Sequence, residues 1–202
     1  MARSSTQLIS GGTPAQRTLV GDILAKYALP GLLAFLRAYG IRIVVLGSGP
    51  RTSLFRHASP ALAHLASNGT ADVDKWPCPP AGLFVVSEGT LYLRIVSGMT
   101  VMHELGHALD LALGGGTMYQ SSDPNSFVAT SFASATKYVT PYAASSQDEY
   151  FAESFRAYVG ANEGNSLWPI ASRTRLADCN PDMVAYFDTI FAEISAKGAI
   201  AA

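Results

Sequence analysis

Apolar and polar residues recur along this chain with two different periods, and the switches between them mark its elements. At Thr13, the run Thr13-Pro14-Ala15-Gln16 offers an N-cap, a first-turn proline and a capping-box glutamine. Leu19, Ile23, Leu24 and Tyr27 are expected to form the apolar face of the helix that follows. Pro30-Gly31 breaks it, and a second helical piece should run to about Tyr39. Ile41 to Leu46 is rich in branched residues and ends in Gly47-Ser48-Gly49-Pro50, which predicts a buried strand and a turn. Ser59-Pro60 starts a short helix through Leu65, and Ser67 to Pro80 reads as a loop. Leu83 to Ser87 and Thr90 to Val96 flank Glu88-Gly89 as a β-hairpin.

A helix from Met99 to Leu113 is closed by Gly114-Gly115-Gly116. Ser126 to Tyr138 and Gln147 to Val159 are expected helices. Asn180-Pro181 caps a last one to Lys197, with Gly198 as its stop. This order predicts an α+β fold in a single domain. Residues 1–96 would supply a helical start and a small mixed sheet, and 97–202 a helical lobe.

Composition sharpens the picture. With 202 residues, 49% of them apolar and only 14% charged, the chain can build a real core. A net charge of −1 excludes an electrostatic case for nucleic acid or an anionic membrane. Arg173 and Arg175, the closest basic pair, read as a solvated helix face. No apolar run approaches the roughly 20 residues of a membrane span. Leu29 to Leu36 is interrupted by Pro30 and Gly31, and Met1 to Ser10 lacks the apolar stretch of a secretory leader. Cys78 and Cys179 read either as a disulfide of an oxidising compartment or as two buried thiols, and thiols are the expectation, since a chain of this size does not need a staple.

The chemistry is concentrated in Val101-Met102-His103-Glu104-Leu105-Gly106-His107-Ala108-Leu109-Asp110. Positions four apart stack on one helix face, so His103 and His107 present two imidazoles to one metal ion. Glu104 lies beside that face, within reach of a water on the metal without being a ligand. This is the HExxH arrangement, with the glutamate as general base. Gly106 allows close packing beneath the motif, and Val101, Leu105, Ala108 and Leu109 supply a core side. The preceding hairpin, through Leu91 to Val96, is expected to hold an extended substrate. His57 and His64 read as surface or core residues.

A catalytic zinc needs a third protein ligand and one open position. The long form of the motif would need a glycine at position 110 and a histidine at 113, where the chain has Asp110 and Leu113. A glutamate about 20 residues downstream is excluded too, because no carboxylate lies between Asp123 and Asp148. That leaves a later carboxylate or Cys179. In Gln147-Asp148-Glu149-Tyr150-Phe151-Ala152-Glu153-Ser154-Phe155-Arg156, Glu149 and Glu153 share a helix face among aromatics. One reading makes Glu149 a metal ligand and Glu153 the partner of a ligand imidazole. The other is a solvated helix with a Ser146–Glu149 capping box and a Glu153–Arg156 surface pair. Asp110, one turn beyond His107, either steadies an imidazole or bonds backbone at the helix end.

Together, His103-Glu104-Leu105-Gly106-His107 and Asp148-Glu149-Tyr150-Phe151-Ala152-Glu153-Ser154-Phe155-Arg156 resemble the anthrax lethal factor family of zinc peptidases, which includes the clostridial Pro-Pro endopeptidases. Tyr142, seven residues before Glu149, matches that family's tyrosine. The resemblance covers about residues 98–160. It implies a zincin-like fold, one catalytic Zn2+ held by His103, His107 and Glu149, and Glu104 as base. It further implies that Tyr142 hydrogen-bonds the oxyanion and that Glu153 supports a ligand. A monomeric, toxin-like endopeptidase acting on a protein or peptide substrate is the expectation that follows, secreted as the family implies or cytoplasmic as the lack of a leader would have it. Its rival is a metal-binding effector domain that acts by binding a partner protein. Trp76-Pro77-Cys78-Pro79-Pro80 is either part of the cleft or a structural loop.

Overall fold

A computed structural model of the chain describes residues 8–162 and 171–200. Residues 1–7, on which most of the leader expectation rests, lie outside the described residues. Helix α1 (Pro14–Tyr27) begins as expected. The Thr13 hydroxyl accepts the Gln16 N–H, and the Gln16 side chain accepts the Thr13 N–H at 2.8 Å. Its buried face is Val20, Ile23 and Leu24, while Leu19 is 45% exposed. The stripe therefore starts at Val20, from which Ile23, Leu24 and Tyr27 follow at the i+3, i+4 and i+7 positions of a single face. The Pro30-Gly31 break turns α2 (Leu32–Ala38) by 117° from α1. Among the described residues, no single helix is long and apolar enough to cross a membrane.

The sheet is small and mixed. Strands β1 (Ile9–Gly11), β2 (Arg42–Val45), β3 (Gly82–Val85) and β4 (Thr90–Leu93) lie in the order β1-β2-β4-β3. The first three in that order run parallel, and β3 is antiparallel to β4. A strand as short as β1 is too brief to show a period in sequence. The hairpin forms, with a 3-10 turn at Val86–Glu88 rather than a two-residue turn. Glu88 explains it, because its carboxylate accepts from Ala61 N–H, the Ser59 hydroxyl and the Tyr92 hydroxyl. One expectation needs correcting. The segment Leu91 to Val96 cannot pair a substrate, since β4 ends at Leu93 and is paired on both sides. The free edge beside the helical body is β3.

Helices α3 (Phe55–Ala58) and α4 (Pro60–Ser67) cover a small core of Leu46, Phe55, Leu62, Val73, Val85 and Tyr92. The main core surrounds α5 (Gly98–Leu113), which starts at a Ser97 cap and stops at Gly114. Val101, Met102, Leu105, Ala108 and Leu109 are all buried along it. Against α5 lies α7 (Gln147–Tyr158), and Gly106 makes that approach possible. A Cβ on Gly106 would stand 2.8 Å from the Ala152 Cα, a contact that backbone cannot yield. Helix α6 (Phe127–Ser134) ends before the expected Tyr138. The Ser134 hydroxyl donates to the carbonyls of Thr130 and Ser131, satisfying the last turn.

Helices α8 (Arg173–Cys179) and α9 (Pro181–Ile200) close the body, with Phe187 and Phe191 packed on Phe155 and Tyr158. Helix α9 continues past Gly198, since one glycine costs a helix only about 1 kcal/mol. Of the two arginines of α8, Arg173 is exposed, as a solvated face expects, and Arg175 is half-buried. Arg173 stacks on Tyr158 and pairs with Asp188, and the Arg175 Nε donates to the Val139 carbonyl at 2.6 Å. Both cysteines are free thiols.

Candidate metal centre

Helical spacing on α5 puts His103 and His107 side by side, and their Nε2 atoms stand 3.2 Å apart. The third member comes from α7. Ser146 caps that helix by accepting the Glu149 N–H, which leaves the Glu149 carboxylate free to turn toward α5. Glu149 Oε2 lies 3.1 Å from His103 Nε2 and 3.4 Å from His107 Nε2. These three side chains form a group that could hold a metal ion, with ligand atoms within 4.8 Å of one another. Cys179 lies outside it, and His57 and His64 are exposed and apart from it.

The hydrogen bonds around the group orient its ligand atoms. Glu153 Oε1 lies 2.8 Å from His103 Nδ1, and both Glu153 oxygens also accept from Arg156 at 2.9 and 2.7 Å. Burial alone would raise the Glu153 pKa, but the His103 ring and the Arg156 guanidinium hold it well below the ordinary value. An ionised carboxylate only accepts, so the proton between them belongs to His103 Nδ1. His103 Nε2 then faces Glu149 Oε2 and His107 Nε2, and in a neutral ring that is the nitrogen left to carry the lone pair. Glu149 Oε2 is buried without a hydrogen-bond partner even though both imidazoles are close. Two imidazole nitrogens and a carboxylate oxygen meeting at one point is the arrangement that metal ligands present.

The pKa directions describe the group with no metal in place. Burial works against charge on His103, yet the Glu149 and Glu153 carboxylates outweigh it and lift its pKa to about 10. Burial likewise opposes ionisation of Glu149, but His103 and His107 hold its pKa far below the ordinary range. Without a metal, the two carboxylates favour a proton on His103, with which a metal ion would compete.

Glu104 sits on the opposite flank, under β3. A Cβ on Gly82 would be 2.8 Å from the Glu104 Cγ and 3.0 Å from its Oε1, so glycine lets the strand lie on this carboxylate without displacing it. Glu104 Oε2 is buried with no partner, and burial raises the Glu104 pKa. Tyr142 stands on a 3-10 turn, Tyr142–Ala144, and its hydroxyl donates to Glu149 Oε1 at 2.8 Å. Burial first, and then Glu149, raise its pKa, so the phenol keeps its proton at neutral pH.

Of the two readings of Asp110, contact with backbone is the one observed. Its carboxylate accepts from the Ser121 N–H at 2.9 Å and from the Ser121 hydroxyl, tying α5 to the loop beyond it rather than steadying an imidazole. Burial pushes its pKa up to about 6. The Glu153–Arg156 pair is no surface pair, because Arg156 is 2% exposed and Glu153 5%. Cys78, Pro79 and Pro80 border the cleft with Ile95, Met99 and Tyr142, while Trp76 stays exposed outside it.

Sequence reasoning missed two neighbours. Tyr119 lies 5.7 Å from the His107 ring, much as Tyr142 lies 5.8 Å from the His103 ring. Thr140 donates its hydroxyl to Glu153 Oε2 at 2.6 Å. Neither has a motif around it, and chain spacing carries no signal for either. No model of a known protein family matches the chain, and no curated protein matches it.

Proposed function

We propose that the chain is a zinc-dependent metalloendopeptidase that hydrolyses internal peptide bonds of a protein or peptide substrate, like the lethal factor family its motifs resemble. The observation that carries this reading is the convergence of His103, His107 and Glu149 beside a buried glutamate, Glu104, with an unpartnered oxygen. Two imidazoles and one carboxylate suit zinc and leave a coordination position open. When bound, zinc polarises the scissile carbonyl and lowers the pKa of a water to about 7.

The chain's own groups do the rest. Glu104 takes the proton of the attacking water and returns it to the leaving amine. A buried carboxylate with a raised pKa is suited to carrying that proton between steps. Tyr142, protonated at neutral pH, donates to the carbonyl oxygen as negative charge develops there, a contribution of about 2–4 kcal/mol. An extended substrate finds its backbone partners on β3. Arg94 N–H donates to the Ala81 carbonyl, so by alternation the backbone groups of Gly82 and Phe84 face away from β4. Pairing there lays the substrate across the metal ligands.

Glu104→Gln is expected to bind zinc as the wild type does while turnover of a peptide library falls about 10²–10⁴-fold. Undiminished cleavage by that variant would refute the mechanism. A domain that only binds a partner gives no reason to keep Glu104 buried and unpartnered. Metal analysis of protein purified without a histidine tag checks the zinc directly.

A further inference from the structure

Glu153 is the hub behind His103, and one of its donors leads away from the metal ligands. Thr140 is 1% exposed, and its single hydroxyl proton goes to Glu153 Oε2 at 2.6 Å. The Thr140 Oγ1 in turn accepts the Ala143 N–H at 3.2 Å. Ala143 is the neighbour of Tyr142 in the turn that presents the phenol. On the other side of Glu153, Oε1 lies 2.8 Å from His103 Nδ1. One hydroxyl therefore joins the carboxylate that orients a ligand imidazole to the backbone that carries Tyr142. The segment before it is held separately, by Arg175 on the Val139 carbonyl at 2.6 Å.

We propose that Thr140 is a positioning residue that couples the orientation of His103 to the placement of Tyr142. The half concerning Tyr142 rests on the peptidase reading above. The half concerning His103 requires only that the group bind a metal. Without the Thr140 hydroxyl, Arg156 is the remaining donor to Glu153 Oε2 at 2.7 Å, and the carboxylate is free to pivot toward it. The Ala143 N–H loses its acceptor in the same step, so the turn and the imidazole drift independently.

Thr140→Val keeps the shape and removes the hydroxyl, and Thr140→Ser keeps the hydroxyl. In Thr140→Val, zinc affinity measured by chelator competition should fall about tenfold, the low end for outer partners of a metal site. The visible spectrum of the cobalt(II)-loaded variant should shift, and kcat should fall with KM unchanged. Thr140→Ser should restore all three. In the Thr140→Val/Tyr142→Phe double variant, kcat should fall by much less than the product of the single effects. Thr140→Ala, which removes the hydroxyl without adding an apolar group, is measured alongside in case the valine variant misfolds. Wild-type affinity and cobalt spectrum in the variants lacking the hydroxyl would overturn the proposal, as would a serine variant impaired like them. Fully multiplicative kcat effects would remove the link to Tyr142. If the zinc-loaded wild type cleaves no peptide, the peptidase reading fails, while affinity and the cobalt spectrum still decide whether Thr140 positions His103.

Discussion

Two glutamates flank the histidine pair, buried to nearly the same degree, with Glu104 6% and Glu153 5% exposed, yet their surroundings are opposite. On the α7 side, Glu153 is saturated by His103, Arg156 and Thr140. On the β3 side, Glu104 keeps one oxygen with no partner. Burial raises the pKa of Glu104. At Glu153 the same effect is outweighed by His103 and Arg156, and the pKa is lowered. The difference separates scaffold from reactant. A carboxylate with every lone pair used fixes geometry, whereas an unpartnered one carries a cost of about 1–3 kcal/mol that a ligand or a water can relieve.

The largest effect that bears on this contrast should come from Glu153→Ala, which leaves Arg156 charged in the core. A loss of about 3–5 kcal/mol in urea or thermal unfolding is expected. A loss below about 1 kcal/mol would mean that the α7 side is no scaffold.

Two glycines sharpen the same comparison at smaller cost. Gly106→Ala presses on the Ala152 backbone, which has nowhere to go, and should destabilise the fold by about 1–3 kcal/mol. Gly82→Ala meets the Thr100 Cγ2 at 2.7 Å and the Glu104 Cγ at 2.8 Å, side-chain atoms that can shift. Its stability loss should be smaller, about 1 kcal/mol, while turnover falls because Glu104 is displaced. Equal stability losses and untouched turnover would erase the distinction between the two sides.

The smallest effect is in pH dependence and has opposite signs on the two sides. Glu104 has a raised pKa, so its contribution is fully present below its ordinary 4.5 and is lost as pH rises through the folded value. Without metal, Glu104→Gln should therefore be more stable than wild type at pH 7, by about 1 kcal/mol, and lose that advantage near pH 4. Glu153 has a lowered pKa, so its contribution is full above 4.5 and is lost as pH falls toward the folded value. The deficit of Glu153→Gln should shrink on acidification. Melting temperatures of both variants at the two pH values check the signs, and parallel trends would contradict the contrast.

Much of this arrangement is legible from spacing within single elements. The Thr13 capping box, the break at Pro30-Gly31 and the i, i+4 histidines each depend on residues a turn apart, so local geometry suffices to place them. The same holds for Glu149 and Glu153, one turn apart on α7. The α+β layout also follows from the order of such segments. Less visible was whatever depends on a partner far along the chain.

Whether the Glu153–Arg156 pair is a surface decoration or a buried anchor was undecidable from an i, i+3 spacing. Packing of α7 on α5 through Gly106 made it buried. Asp110 found Ser121, Arg175 found Val139, and Thr140 found Glu153 in the same way, through the folding of loops onto helices. The edge position of β3 came from strand order, which hydrophobic alternation cannot encode. Short-range periodicity and capping act within one element, and so they are written in it. Burial, hydrogen-bond partners and sheet order are properties of several elements meeting, and they exist only once the chain has closed on itself.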